Sequence, residues 1–295
     1  MFDVDKMRIA QGDPTQGPMV LAFRDDFEDD LDTPAHSHGR GQLMGCERGI
    51  ISMGLSSGSW VVPAGHALWL PPGHAHSGRT HGPFSGWSAY LSTEAGLDLP
   101  EPFTARVPAL LREAIRRAVS WDASPLDERR DRIARLIVDE LHSLSATDFG
   151  LPMPADARLR KVAQALLEHP EDRRGIEAWA RWAGTSTRTL SRRFPVETGF
   201  SLSAWRQRAR LLRALEMLAD GTPVTTIAFD LGYGSVSAFI ALFKRTFGTT
   251  PAAYAARRPV EDLGSTKRAS SARTACGIPA GRRFGSTRYH RADPR

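Results

Sequence analysis

Cysteine is scarce in this chain, with only Cys46 and Cys276 among 295 residues. Two thiols so far apart build neither a disulfide framework nor the paired spacing of a structural zinc site, and they suit a reducing cytoplasm. Long apolar runs are missing as well. No stretch approaches the roughly 18 residues of a membrane-spanning helix, so no membrane partner is expected. The opening MFDVDKMRIAQGD lacks the basic flank and apolar core of a secretory leader. What is present, 41% hydrophobic and 24% charged residues, is ordinary for a globular protein. The length suggests two domains with separate cores.

Acidic residues thin out along the chain. Residues 1–150 carry 14 Lys and Arg against 21 Asp and Glu, residues 151–258 carry 17 against 9, and residues 259–295 carry 8 against 3. A net −7 thus precedes +8 and +5, as expected if only the second half meets a polyanion. A basic face that is merely solvated gives the same numbers, so charge alone leaves both readings open.

Hydrophobic periodicity divides the chain further. Residues 1–105 read as short strands, GIISMGL, SWVVP, ALWLPPG and GWSAYLS, with SSGS at 56–59 as a hairpin turn. That predicts a small barrel or sandwich. Over 106–148 the period becomes 3.6. Val107, Leu110, Leu111, Ile115 and Val119 form one stripe, and Ile133, Leu136, Ile137, Leu141 and Leu144 form another. This helical connector either packs on the β domain or forms a dimer interface through 133–144, in which case charges at Leu136 and Ile137 produce a soluble monomer. ATDFGLPMPAD (146–156) reads as a linker. Residues 157–258 are helical, and 259–295 read as a basic, disordered tail.

Two segments of the helical region share one plan. In GIEAWARWAGTSTRTLSRRF (175–194), Ile176, Trp179 and Ala180 form a helix face, and Gly184 sits where a tight turn needs positive φ. Ser186 can cap a second helix, with Leu190 and Phe194 inward. Its outward residues are Thr187, Arg188, Ser191, Arg192 and Arg193. Hydroxyls and guanidinium groups suit a major groove, because Arg bonds bidentately to guanine. TPVTTIAFDLGYGSVSAFIALFKRTFG (222–248) repeats the plan, with Thr222 as cap, Pro223 at the first helical position, Gly232 at the turn, Ser235 as second cap, and Phe239, Phe243 and Phe247 at i+4 intervals. The helix between them, 203–221, is closed by Gly221. Its length of about 25–30 Å is near the roughly 34 Å between successive major grooves.

The turn GYGS (232–235), the run FKR (243–245) and the closing FGTTPAAY (247–254) resemble the DNA-binding domain of the AraC/XylS family of bacterial transcription regulators. The resemblance implies base-reading positions at Arg188, Ser191 and Arg192 in the first unit and at Val236, Ser237, Ile240 and Ala241 in the second, with Lys244 and Arg245 beside them. Three of the second four have no side-chain hydrogen bond to offer, although apolar contact with thymine methyls is open to them. The first unit is therefore expected to supply most discrimination. The partners implied are double-stranded operator DNA, a second copy of the chain, a small-molecule or metal effector and, for an activator, RNA polymerase.

Five of the nine histidines lie between positions 36 and 76. HSHGRGQLMGCERG (36–49) and GHALWLPPGHAHSGRT (65–80) resemble the two motifs of the cupin barrels. The resemblance implies that His36 and His38 share a strand face and that one divalent metal is held by His36, His38 and His76, whose imidazoles suit Zn, Fe or Ni. Three positions depart from the pattern: Gln42 replaces the glutamate, Asp30 replaces an opening glycine and Thr80 replaces a closing asparagine. A neutral glutamine removes a charge that would offset the cation. Three readings stay open: an effector pocket built from His36, His38, Gln42, Trp69 and His76, a metal-containing sensor, or structural histidines. Trp60, Trp69 and Tyr90 are aromatic candidates for such a pocket, with core packing the commoner role. His66, His74 and His81 fall on turns.

The expected fold class is α+β, with an N-terminal cupin-like β-barrel, a helical connector and a C-terminal all-α double helix-turn-helix domain. The expected function is a non-enzymatic, effector-controlled regulator, with the connector helices carrying the signal. The competing reading is a dioxygenase-like cupin enzyme fused to a DNA-binding domain.

Overall fold

Two long strands organise the N-terminal half of the computed structural model, which describes residues 4–147 and 149–256. The tail expected at 259–295 lies outside the described residues. β1 (Val20–Phe27), β2 (Asp32–His36), β3 (Gly41–Leu55), β4 (Gly58–Pro63), β5 (His66–Leu70), β6 (His76–Leu91) and β7 (Phe103–Arg106) form the body of a nine-stranded antiparallel sheet. β3 and β6 pair from Gly41↔Leu91 to Leu55↔His76. β1 covers the later half of β6 and β2 its start.

Alternation along these strands builds two separate faces. Leu43, Ala67, Trp69, Trp87, Ala89 and Leu91 point outward and are buried under α2 (Ala109–Val119) and α3 (Glu128–His142). Cys46, Ile51, Met53, Leu68, Leu70 and Phe84 form an inner core. A Cβ on Gly41 or Gly45 would run into the indole of Trp69 or Trp87, so glycine at both positions lets these rings lie against β3.

Several expectations change here. The first hundred residues are not all β, because a helix, α1 (Val4–Gln11), precedes β1. The stretch 146–156 is no free linker. β8 (Ala146–Thr147) pairs with β7 and β9 (Gly150–Pro152) pairs with β4, and such short strands carry no visible period. The 133–144 stripe packs within the chain in part, Ile137 and Leu141 fully and Ile133, Leu136 and Leu144 partly. Ala134, Ile137 and Leu141 are fully buried against the sheet and α2, and Leu136 is half-buried. A charge at Ile137 would therefore unfold the sheet–helix core, not release a monomer.

The C-terminal half is α4 (Ala157–Glu168), α5 (Ile176–Trp182), α6 (Thr187–Thr198), α7 (Leu202–Ala219), α8 (Val224–Asp230), α9 (Val236–Phe247) and α10 (Pro251–Ala255). Trp179, Leu190, Phe194, Trp205, Leu215, Phe239 and Phe243 share one core. Gly184 and Gly232 adopt φ of 68° and 75° at the two turns. Ser186 accepts from the Thr189 N–H and Ser235 from the Ala238 N–H, capping α6 and α9. Thr222 does not cap α8. Pro223 holds that position without a side-chain bond, one residue later than expected. Among the described residues, no helix is long and apolar enough to cross a membrane.

Candidate nucleic-acid interface and metal centre

α7, whose 18 residues make about 27 Å at 1.5 Å per residue, joins the unit that contains α6 to the unit that contains α9. On α6, Arg188, Ser191 and Arg192 are exposed and Thr187 is half-exposed. Neither Arg188 nor Arg192 pairs with a carboxylate among the described residues. Arg193 differs from them. Its Nη1 lies 2.7 Å from Asp156 Oδ2 and its Nη2 lies 2.7 Å from Glu197 Oε1, so it ties α6 to the start of α4 while staying part-exposed. On α9, Ser237, Ala241, Lys244 and Arg245 are exposed, while Val236 and Ile240 are half-buried against the core.

The histidines converge. His36 closes β2 and stands directly opposite His76, the first residue of β6. His38 lies in the loop after β2, so the shared strand face expected for His36 and His38 is replaced by a loop that sets the His38 ring 5.1 Å from that of His76, and His38 does not itself line the cavity beside them. The ligand atoms of His36, His38 and His76 all lie within 4.8 Å of one another. Each ring has its Nδ1 on a backbone carbonyl: His36 on Pro34 at 2.9 Å, His38 on Arg40 at 2.7 Å and His76 on His74 at 2.8 Å. A carbonyl only accepts, so each Nδ1 carries the proton and each Nε2 presents a lone pair. His76 Nε2 is buried without a hydrogen-bond partner among the described residues. Burial holds His38 below its ordinary pKa and brings His76 down to about 4, so both are neutral imidazoles near pH 7, the form that ligates a metal. The donor set fits a divalent ion.

Around this cluster is a cavity of about 90 Å³, lined by apolar Met7, Phe23, Phe27, Met44, Ile51 and Met53 and by polar Asp25, Gln42, Ser88 and Tyr90. Trp69 is absent from it. The Trp69 ring lies on the outer face, and its Nε1 donates to the Leu99 carbonyl at 2.9 Å. Trp60 belongs to the inner core and not to the cavity lining. Asp25 went unnoticed in the sequence, although Phe23, Asp25 and Phe27 at i, i+2 and i+4 place a carboxyl on an otherwise aromatic inward face. Burial raises its pKa, against the pull of a 2.8 Å hydrogen bond from Ser88.

The reverse side of the cavity wall touches the helical half. Ile51, Met53 and Thr80 line the cavity, while their strand neighbours Ser52 and His81 face α7. Ser52 Oγ donates to Glu216, His81 Nε2 is 3.0 Å from Ser52 Oγ, and His81 Nδ1 is 3.4 Å from Asp220. His81 thus sits buried in β6 and His66 begins β5, neither on a turn, whereas His74 is in a loop. Elsewhere Arg208 Nε donates to the Gly150 carbonyl at 2.6 Å and Trp205 Nε1 donates to that of Pro152 at 2.8 Å. The α2–α3 pair packs on the outer face of the sheet, and β3, β4, β6 and β9 meet α7.

Residues 18–163 match the AraC-like ligand binding domain and residues 179–257 match a helix-turn-helix domain. The HTH-type transcriptional regulator NimR of Escherichia coli is 30% identical over 233 residues, spanning 78% of this chain and 84% of NimR. This chain belongs to the AraC family of transcriptional regulators. RipA of Corynebacterium glutamicum, another HTH-type transcriptional regulator, is 34% identical over 122 residues, 41% of this chain and 35% of RipA. Among solved structures, ToxT from Vibrio cholerae aligns over 80% of this chain and 94% of its own, at 12% identity and a TM-score of 0.35. As an AraC-family member the chain is a DNA-binding regulator with a ligand-binding domain and not an enzyme. The dioxygenase reading of the histidines therefore falls.

Proposed function

We propose that this AraC-family regulator acts in the cytoplasm, reads a specific operator chiefly through Arg188, Ser191 and Arg192, and is controlled by a divalent metal at His36, His38 and His76 together with a small effector in the adjoining cavity. Thr187 supports the first reading helix. Ser237 and Ala241 approach bases from the second, Val236 and Ile240 add apolar edge contact, and Lys244 and Arg245 meet phosphates. A bound cation would supply Lewis acidity and positive charge to an effector's lone pair. The protein's own part is to fix three imidazole tautomers and exclude water with an apolar wall. Occupancy reaches DNA through the two-sided strands, because a shift of Ile51, Met53 or Thr80 moves Ser52 and His81 against α7. A homodimer belongs to the same reading, as does contact with RNA polymerase if the regulator activates.

The observation that carries this reading is the convergence of one ligand atom from each of three histidines, on rings whose Nδ1 atoms are held by backbone carbonyls, on the far side of the wall from α7. The experiment selects binding sites for the full chain from a random duplex pool, with zinc and with chelator. An enriched site of about two helical turns per protomer, bound with an affinity that changes on chelation, is expected. No enriched sequence defeats the operator reading, and zinc-independent affinity defeats the metal control.

A further inference from the structure

Gln42 removes a carboxylate from the ligand set, and the fold puts one back a short distance behind it. On the inner faces of three adjacent strands, β1, β6 and β3, lie Asp25, Ser88 and Gln42. Ser88 Oγ donates to Asp25 Oδ2 at 2.8 Å. Gln42 Nε2 lies 3.3 Å from Ser88 Oγ and 3.2 Å from Tyr90 Oη. A serine has one hydroxyl proton, and Asp25, which burial favours in its neutral form until a cation lies nearby, accepts it from Ser88. Once that proton goes to Asp25, Ser88 must receive from the Gln42 amide N–H. The Gln42 carbonyl then faces the histidines, with Oε1 3.1 Å from His38 Nε2. That nitrogen already bears a lone pair, because His38 Nδ1 donates to the Arg40 carbonyl. Two lone pairs held face to face are repulsive unless a cation lies beside both.

We propose that Asp25, acting through Ser88, orients Gln42 as the oxygen ligand of the divalent ion held by His36, His38 and His76, and supplies from one shell out the negative charge that a glutamate would bring. This rests on the metal reading above. Asp25 is a positioning residue, which touches the ligand only through the serine. The arrangement gives a neutral first shell and a buried countercharge, and outer partners of this kind are worth about 10–100-fold in metal affinity.

The test titrates Co(II), whose visible spectrum reports its ligands, into the metal-stripped full-length protein without an affinity tag. Asp25→Asn is expected to weaken Co(II) binding about 10–100-fold, and Asp25→Asn with Gln42→Glu to regain most of it, a rescue that a purely structural hydrogen bond would not give. Unchanged affinity in Asp25→Asn, or a double variant no tighter than the single, overturns the relay and leaves the metal reading standing. A wild-type protein that takes up no Co(II) removes the metal reading and the relay with it. If metal-free Asp25→Asn does not melt cooperatively, Ser88→Ala decides the matter by the same titration.

Discussion

The second helices of the two helix-turn-helix units are built alike and expose different residues. α6 and α9 each have 12 residues, a serine cap bonded to the third backbone N–H and a closing glycine at φ 77° or 72°. Each is anchored by core residues four apart, Leu190 and Phe194 on α6 and Phe239 and Phe243 on α9. Outside that frame they diverge. α6 exposes two guanidinium groups that are unpaired among the described residues, whereas α9 exposes Ser237 and Ala241 and keeps its cations in the last turn. Their attachments differ as well. The far end of α9 is tied to the sheet, because Phe247 stacks on Phe149 at 5.9 Å and 4° and Phe149 meets the His66 ring at 4.7 Å. α6 is held instead by the Arg193 pair to Asp156. The core therefore sets where a reading helix lies, while the exposed residues set what it reads.

The largest effects should fall on the shared frame. Phe194→Ala and Phe239→Ala each empty a fully buried aromatic site and should cost about 3–5 kcal/mol. Thermal melting checks this, and a loss in one but not the other would end the claim that the two units are equally anchored. Reading residues come next. Arg192→Ala should weaken operator binding by about 1–3 kcal/mol with little change on random DNA, while Ser237→Ala should cost well under 1 kcal/mol. Equal losses on operator and random DNA would assign Arg192 to phosphate. Lys244→Ala should weaken both DNAs alike and lower the salt slope by about one, which binding isotherms at several salt concentrations would reveal.

The smallest effect concerns the strut under α9. Burial lowers the pKa of His66 below its ordinary 6.5. The unfolded chain therefore binds this proton more readily, so His66's contribution to stability is full above pH 6.5 and is lost as the pH falls through the folded value. Urea midpoints between pH 7 and 5 should fall more steeply for the wild type than for His66→Gln. Parallel curves would show that the strut does not titrate.

Much of the helical half was legible because its signals are short-range. Glycines at 184 and 232, serines at 186 and 235, and phenylalanines four apart act within one or two turns of their own backbone. The one-residue error at Thr222 has the same local origin, since Pro223 can occupy either the cap or the first helical position. The sheet was less legible. Period 2 says that Trp69 and Leu70 face opposite ways, but not which side becomes pocket. Asp156 and Asp220, which pair with Arg193 and His81, lie 37 and 139 residues from them in sequence, beyond any local pattern.

The sequence by itself determined the two capped helix–turn–helix frames, and it named basic residues and three histidines, with Gln42 in place of a glutamate, as candidates for the two sites. Only the tertiary structure decided that these histidines meet. The pairing of β2 with the start of β6 puts His36 opposite His76, and the turn after β2 brings in His38. It also decided that Trp69 faces the helices, that Arg193 pairs with Asp156, and that Asp25 stands behind Gln42. The reason is physical: helix caps and turns depend on neighbours three or four residues away, whereas which strand lies beside which is set by burial across the whole chain.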